Sequence, residues 1–156
     1  NGQPILGLIN DPVNKNMYWA YVGGGAFRNG KKIAVSADES LKNTYINIDG
    51  PTKGERFSKT QIMNQLSAKG ARTMVFCSFI YGGIQVANGK FVGSVFLNPY
   101  AHDVAALKVI TEEAGGIVTD LEGNPRRYDQ DGLGCILSNG VTHTVILDCV
   151  RETGVN

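Results

Sequence analysis

Residues 98–120 constrain this chain more than any other stretch. They run Asn98-Pro99-Tyr100-Ala101-His102-Asp103-Val104-Ala105-Ala106, then Leu107 to Thr111, then Glu112-Glu113-Ala114-Gly115-Gly116-Ile117-Val118-Thr119-Asp120. The pattern reads as loop, helix, turn and strand. Asp103 is placed to open the helix, and Gly115-Gly116 supplies the left-handed residue that closes it. At about 100° per residue, Asp103, Ala106, Leu107, Ile110 and Ala114 share one side, with Lys108, Thr111 and Glu112 roughly opposite. A carboxylate on the inward stripe needs a cation, a donor or water. One reading makes Asp103 an N-cap bonding the amides of Ala105 or Ala106, the commoner use of such a residue. The other makes it a ligand for a hard cation such as Mg²⁺, which prefers carboxylate oxygen. Spacing does not separate the two.

The chain has 156 residues, enough for one domain with its own core. At 42% hydrophobic and 19% charged it is not a disordered composition. A formal net charge of +1 recommends neither nucleic acid nor an acidic membrane as a partner. Cys77, Cys135 and Cys149 are widely spaced and form no zinc or disulfide pattern, so reduced, buried thiols are expected. The sequence shows no apolar run long enough to span a bilayer and no signal peptide, which makes the cytoplasm the expected location. The opening Asn1-Gly2-Gln3, with a strand at once behind it, is expected to lie inside a longer protein.

Pro4–Asn10 and Met17–Val22 read as an antiparallel hairpin around the turn formers Asp11–Asn16, and Lys32–Ser36 as a third extended piece after the tight-turn signal Asn29-Gly30. Gly23-Gly24-Gly25 lacks the Gly-Lys-Ser/Thr ending of a phosphate loop and opens no helix, so it reads as a turn. Thr44–Asp49 is a strand, Gly50–Gly54 a loop, Arg56–Lys69 an amphipathic helix and Thr73–Phe76 a short buried strand. Cys77–Asn88 reads as a helix whose Gly82-Gly83 permits close packing. Phe91–Leu97 and Gly132–Ser138 are strands, and Thr142–Glu152 is the closing helix. Alternating strands and helices from Thr44 onward predict an α/β layered sandwich. Residues 1–43 would be a partial antiparallel sheet segment and 44–156 an α/β domain.

Two ordered motifs carry a resemblance. His102-Asp103-Val104-Ala105-Ala106, Glu113-Ala114-Gly115-Gly116, a strand, and Asp120 with Gly123 resemble the inositol monophosphatase family's C-terminal signature of Trp-Asp-x-Ala-Ala, helix, Glu-Ala-Gly-Gly, strand, Asp-x-x-Gly. His102 stands where that family usually has Trp. Gly7, Pro12, Gly23, Gly25, Ala26, Asn29, Gly30, Val35 and Ser36 match its Gly-x-x-x-x-Pro, Gly-x-Gly-Ala-x-x-Asn-Gly and Val-Ser segments. The resemblance covers nearly the whole chain and implies the C-terminal α/β layers of a phosphomonoesterase, usually dimeric.

In such an enzyme Mg²⁺ activates water and stabilises phosphoryl charge. The resemblance maps the family's metal-binding Asp onto Asp103. It places Cys77 and Ser78 in the substrate wall. Asn98 and His102, beside Asp103, are further candidates for that wall, and a surface role at the helix start is the other reading of His102. Ser78 keeps the hydroxyl of the family's Arg-x-x-Gly-Ser/Thr helix start, Cys77 replaces its Gly, and helix capping is the other reading of Ser78. Cys77 has no base near it in sequence and reads as an inert buried thiol rather than a nucleophile. His143 resembles the structural His of the family's Asn-x-x-x-His, and Arg126-Arg127-Tyr128-Asp129 reads as a polar loop needing no ligand.

The family's Glu and Asp-Pro-Ile-Asp-Gly-Thr, which supply most ligands of its two- or three-ion Mg²⁺ site, are missing from this sequence. No catalytic residue is therefore assigned. The residues before Asp103, Val95-Phe96-Leu97-Asn98, lack the acid of inositol-preferring members and leave histidinol phosphate, fructose bisphosphate, nucleotide phosphates and other sugar phosphates open. Two expectations follow. The chain is a fragment of a Mg²⁺-dependent phosphatase acting on a small phosphorylated sugar or polyol, a homodimer as a whole and inactive alone. Alternatively it is a non-catalytic α/β domain that associates with itself or a partner through unpaired N-terminal strands.

Overall fold

The computed structural model describes residues 2–51, 56–130 and 134–154. Leu6–Asp11 (β1) and Asn16–Tyr21 (β2) pair antiparallel from Leu6↔Tyr21 to Asp11↔Asn16. Gly7, Ile9, Tyr18 and Ala20 turn to the buried side, and Leu6, Leu8 and Tyr21 to the exposed one, as the two-residue strand period requires. Gly25–Arg28 (β3) and Lys31–Lys32 (β4) complete a four-stranded antiparallel sheet in the order β1-β2-β3-β4. Asn29 and Gly30 hold φ of 49° and 77°, the two-residue turn that Asn-Gly favours. The third extended piece is shorter than expected. After Lys32 the chain leaves the sheet, and Val35 gives its amide to the carbonyl of Ala114.

The glycine run is a turn, and its amides have an occupant. Gly23 and Gly25 each donate to the carboxylate of Glu113 at 2.7 Å. These two amide bonds hold that carboxyl below its ordinary range.

The second sheet begins at Tyr45–Asp49 (β5), parallel to both Arg72–Met74 (β6) and Gly93–Phe96 (β7). Cys135–Ser138 (β9) runs antiparallel to β7 and to Ile117–Thr119 (β8), giving the order β6-β5-β7-β9-β8. Phe79–Ala87 (α2) and Ala101–Glu113 (α3) pack on each other between the two sheets. Lys59–Ala68 (α1) and His143–Arg151 (α4) cover the far face of the second sheet. The layers are sheet, helices, sheet, helices, the layered α/β architecture expected.

Two apolar cores result. The inner one joins Ile9, Tyr18 and Ala20 of the first sheet to Leu107 and Ile110 of α3 and to Leu137 of β9. The outer one joins Ile46, Ile48 and Ile136 to Leu66 and Ile146. Each fully buried side chain of this size contributes roughly 1.5–3 kcal/mol.

Several sequence expectations are corrected. Helix α3 has no single inward stripe. Flanked by both sheets, it also buries Val104, Val109 and Thr111. Thr111, expected on the outer side, packs against Gly116, where an added Cβ would lie 2.8 Å from its Cγ2. Strand β6 is an edge strand with exposed Arg72 and Met74, not a buried one. Helix α1 starts at Lys59 rather than Arg56, because Ser58 caps it through the amide of Gln61 while Phe57 bridges to Gly154. The glycines inside α2 serve close packing as expected. A Cβ on Gly82 would fall 2.0 Å from Asn47 Nδ2, and one on Gly83 2.4 Å from Leu107 Cδ1. The expected Gly50–Gly54 loop and Gly132–Ser138 strand extend into residues 52–54 and 132–133, which lie outside the described residues.

Candidate active site

Three parallel strands end at one place. β5 delivers Asp49, the segment after β6 delivers Cys77 and Ser78, and β7 leads through Asn98-Pro99-Tyr100 to Asp103 on α3. The C-terminal ends of parallel strands are where open α/β sheets bind ligands. Asp49, Gly50, Lys59, Cys77, Ser78 and Asp103 line a cavity of about 410 Å³ there.

Asp103 is the third residue of α3, not its cap. Its Oδ2 accepts the amide of Tyr100 at 2.9 Å, while its own amide donates to the Tyr100 carbonyl at 3.1 Å. This is the reciprocal lock of a helix start, with the acid at the third position. The other oxygen, Oδ1, lies 3.6 Å from His102 Nε2. His102 itself is exposed, stacked on Tyr100 with ring centroids 5.5 Å apart, and lines a separate depression with Tyr128 and Asp129. Asn98 is exposed and does not line the cavity of Asp103.

The helix expected from Cys77 begins two residues later. Ser78 is the N-cap of α2, its Oγ accepting the amide of Tyr81 at 3.2 Å. Cys77 holds a left-handed φ of 54°. That conformation explains why the resembled motif has Gly here, since only Gly adopts it without steric cost. Cys77 is also exposed, against the expectation of a buried thiol, whereas Cys135 and Cys149 are buried as expected. Burial pushes the Cys135 thiol up to about 12 and raises that of Cys149. Phe79 and Ile80 open α2 and line the same cavity. Their amides have no carbonyl one turn back, the arrangement that receives anionic oxygen at a helix start. Lys59 adds a cation, its Nζ donating to the Gly50 carbonyl at 2.9 Å.

Sequence reading missed Asp49. It is 2% exposed. Its carboxylate accepts the amides of Cys77 at 2.8 Å and Ser78 at 3.3 Å and the side chain of Asn47 at 3.1 Å. These three donors compensate its burial and tie the turn before α2 to the end of β5. The available signal was a carboxylate closing a strand.

These residues do not fit a complete Mg²⁺ cage. Among the described residues no three of His, Cys, Asp and Glu converge as a metal site. Asp49 spends both oxygens on protein donors, which leaves Asp103 as the carboxylate with an oxygen to offer.

His143 and Arg126 complete the surroundings. His143 is buried, with Nδ1 2.8 Å from Ser138 Oγ and Nε2 3.0 Å from Thr119 Oγ1. Thr119 gives its proton to the Asp120 carbonyl, so it accepts from His143 and Nε2 carries the imidazole proton. Burial lowers the pKa of this ring. The 126–129 loop is not simply polar surface. Arg126 is 5% exposed, and its guanidinium donates to the carbonyls of Pro99 and Gly134 at 3.2 Å each.

Among the described residues no helix is long and apolar enough to cross a membrane. The chain is 28% identical over 160 residues to a Thermotoga maritima fructose-1,6-bisphosphatase/inositol-1-monophosphatase, covering 97% of this chain and 57% of that protein. It is 31% identical over 144 residues to the protein of the same description in Methanocaldococcus jannaschii, covering 89% and 54%. The chain thus spans little more than half the length of these relatives. Among solved structures, a Thermotoga maritima IMPase superposes with a TM-score of 0.87 at 27% identity, over 98% of this chain and 58% of that one. An IMPase/NADP phosphatase complexed with Mg²⁺ and phosphate, at 24% identity and TM-score 0.81, shares the fold over 95% of this chain and 54% of that one. The sequence model of the inositol monophosphatase family matches residues 1–154, and the chain belongs to that family.

Proposed function

We propose that this chain forms the phosphate-facing wall of a phosphomonoesterase that hydrolyses a small phosphorylated sugar or polyol, and that Asp103 is one ligand of its Mg²⁺ site. One observation carries the reading. The ends of β5, β6 and β7 bring an available carboxylate, a helix start and the Lys59 ammonium around a single cavity. Cys77 and Ser78 belong to that wall, and in this reading Asn98 and His102 border it. The absence of any group of three His, Cys, Asp or Glu side chains among the described residues that could hold a metal ion supports an incomplete site. In this reading the family's Glu and Asp-Pro-Ile-Asp-Gly-Thr belong to the complete enzyme, and this chain alone turns over little or no substrate. Its three unpaired thiols suit a reducing compartment, so the proposed location is the cytoplasm.

The test is phosphate release from histidinol phosphate, inositol phosphate and fructose bisphosphate at millimolar Mg²⁺. The chain alone should be silent. A protein carrying the two motifs should be active and should lose on the order of 100-fold or more in Asp103→Asn, at least the cost of losing a group that supports a metal ligand. Full turnover by the chain alone would refute the incomplete cage, and an undiminished Asp103→Asn enzyme would refute the ligand.

Exposed Leu6, Leu8 and Tyr21 on the β1–β2 face favour a second reading, self-association through the first sheet, whose edge is β1. The whole enzyme is proposed as a homodimer. Light scattering of the chain should show mass rising with concentration, and a monomer with an ordered β1 at high concentration would end this reading.

A further inference from the structure

Arg126 is a buried cation. None of the ion pairs among the described residues includes it. Its Nε is buried with no acceptor among those residues, as is the hydroxyl of Tyr128, whose ring lies 5.4 Å from the guanidinium carbon. A well-packed apolar side chain often serves stability as well as a buried charge, so stability is a weak reason for a guanidinium here. What it holds is informative. Nη2 donates to the carbonyl of Pro99 and Nη1 to the carbonyl of Gly134, both at 3.2 Å. The Pro99 carbonyl belongs to the same peptide unit as the Tyr100 amide, and that amide is the donor to Asp103 Oδ2 at 2.9 Å.

In a trans peptide C=O and N–H point opposite ways, so one planar group is gripped by Arg126 on one side and aimed at Asp103 on the other. A charged donor on the carbonyl also polarises the amide and strengthens the bond it gives. We infer that Arg126 is a positioning residue that orients the Asp103 carboxylate through the Pro99–Tyr100 peptide. With Oδ2 held by Tyr100, Oδ1 is left for a ligand. Gly134, at the entry to β9, is the fixed point of the brace. Its φ is 111°, and an added Cβ would meet the Phe96 carbonyl at 2.3 Å. The Arg126 carbonyl is itself held by Gln3 Nε2 at 2.8 Å. The importance of this orientation rests on the ligand reading of Asp103, but the brace is tested without it.

The test is NMR on the 156-residue chain. In the wild type, Arg126 should show arrested guanidinium rotation and a scalar coupling across the hydrogen bond to the Pro99 carbonyl carbon. Free rotation with no coupling would overturn the inference. In Arg126→Gln, exchange of the Tyr100 amide should accelerate about tenfold, on the order of one hydrogen bond's net strength, while Ile136 and Leu137 of β9 keep their protection. Asp103→Ala should accelerate the same amide, and the double variant no further, because both changes break one path. An unchanged Tyr100 in Arg126→Gln, or equal loosening of Tyr100 and β9, makes Arg126 a general packing residue and ends the proposal. If Arg126→Gln does not fold, the wild-type coupling decides. Activity is not read, so an active-site assignment that fails in the phosphate assay leaves this result standing.

Discussion

At the scale of single residues, Cys77 and His143 show how local chemistry predicts behaviour. Cys77 occupies a left-handed φ of 54° that costs a residue with a Cβ about 1–2 kcal/mol. Its side chain is exposed, so Cys77→Gly forfeits little packing. Glycine's extra freedom in the unfolded chain returns part of the gain. Cys77→Gly should raise stability by up to about 1 kcal/mol, read as a higher urea midpoint at unchanged slope. His143 is held neutral between two hydroxyls, and burial lowers its pKa from the ordinary 6.5. The folded protein therefore binds this proton less readily than the unfolded chain. The stability contributed by the neutral ring is complete above pH 6.5 and falls as pH drops through the folded pKa. Urea titrations from pH 7.5 downward should show this decline, and His143→Asn should flatten it. A wild-type curve with no slope below neutrality would contradict the buried neutral ring.

Among the elements, helix α2 is the tightest fit. Alanine favours a helix by about 1 kcal/mol over glycine, yet a Cβ at Gly82 would meet Asn47 Nδ2 at 2.0 Å and Asn47 Cγ at 2.7 Å. Asn47 is fully buried and bonds Asp49, so it has no free direction in which to move. Gly82→Ala should destabilise by about 1–3 kcal/mol, the usual cost of overpacking, and should loosen the Cys77 and Ser78 amides held by Asp49. A melting temperature equal to wild type would show that Asn47 gives way. What the sequence revealed of these elements follows from what is periodic or local. Strands β1 and β2 and the Asn29-Gly30 turn were legible because alternation and turn chemistry act within a few residues. The start of α2 was misjudged because apolar content runs through Cys77 while the backbone there does not. The face of α3 was misjudged because a helix between two sheets is buried on two sides, and a one-sided stripe does not describe it.

For the whole molecule, the candidate site is a product of strand order. Ser78 and Asp103 could be picked out from local motifs. Asp49 could not, since its closeness to Cys77 exists only because β5 pairs with β6 and β7. Arg126 escaped for a similar reason. Nothing in Arg126-Arg127-Tyr128-Asp129 distinguishes the buried guanidinium from the exposed one beside it.

The bonds from Gly23 and Gly25 to Glu113 join residues 90 and 88 positions apart. Closing so long a loop is entropically costly, so a contact of this kind forms late on the route to the native state. Such a contact governs how fast the protein comes apart rather than how fast it assembles. Glu113→Gln should therefore accelerate unfolding about fivefold, the equivalent of roughly one net hydrogen bond, and leave the refolding rate unchanged in stopped-flow experiments. A slowed refolding limb would instead place the clasp in the nucleus. On this account a carboxylate seated in a glycine turn acts as a latch in time, setting how long the first sheet stays on α3.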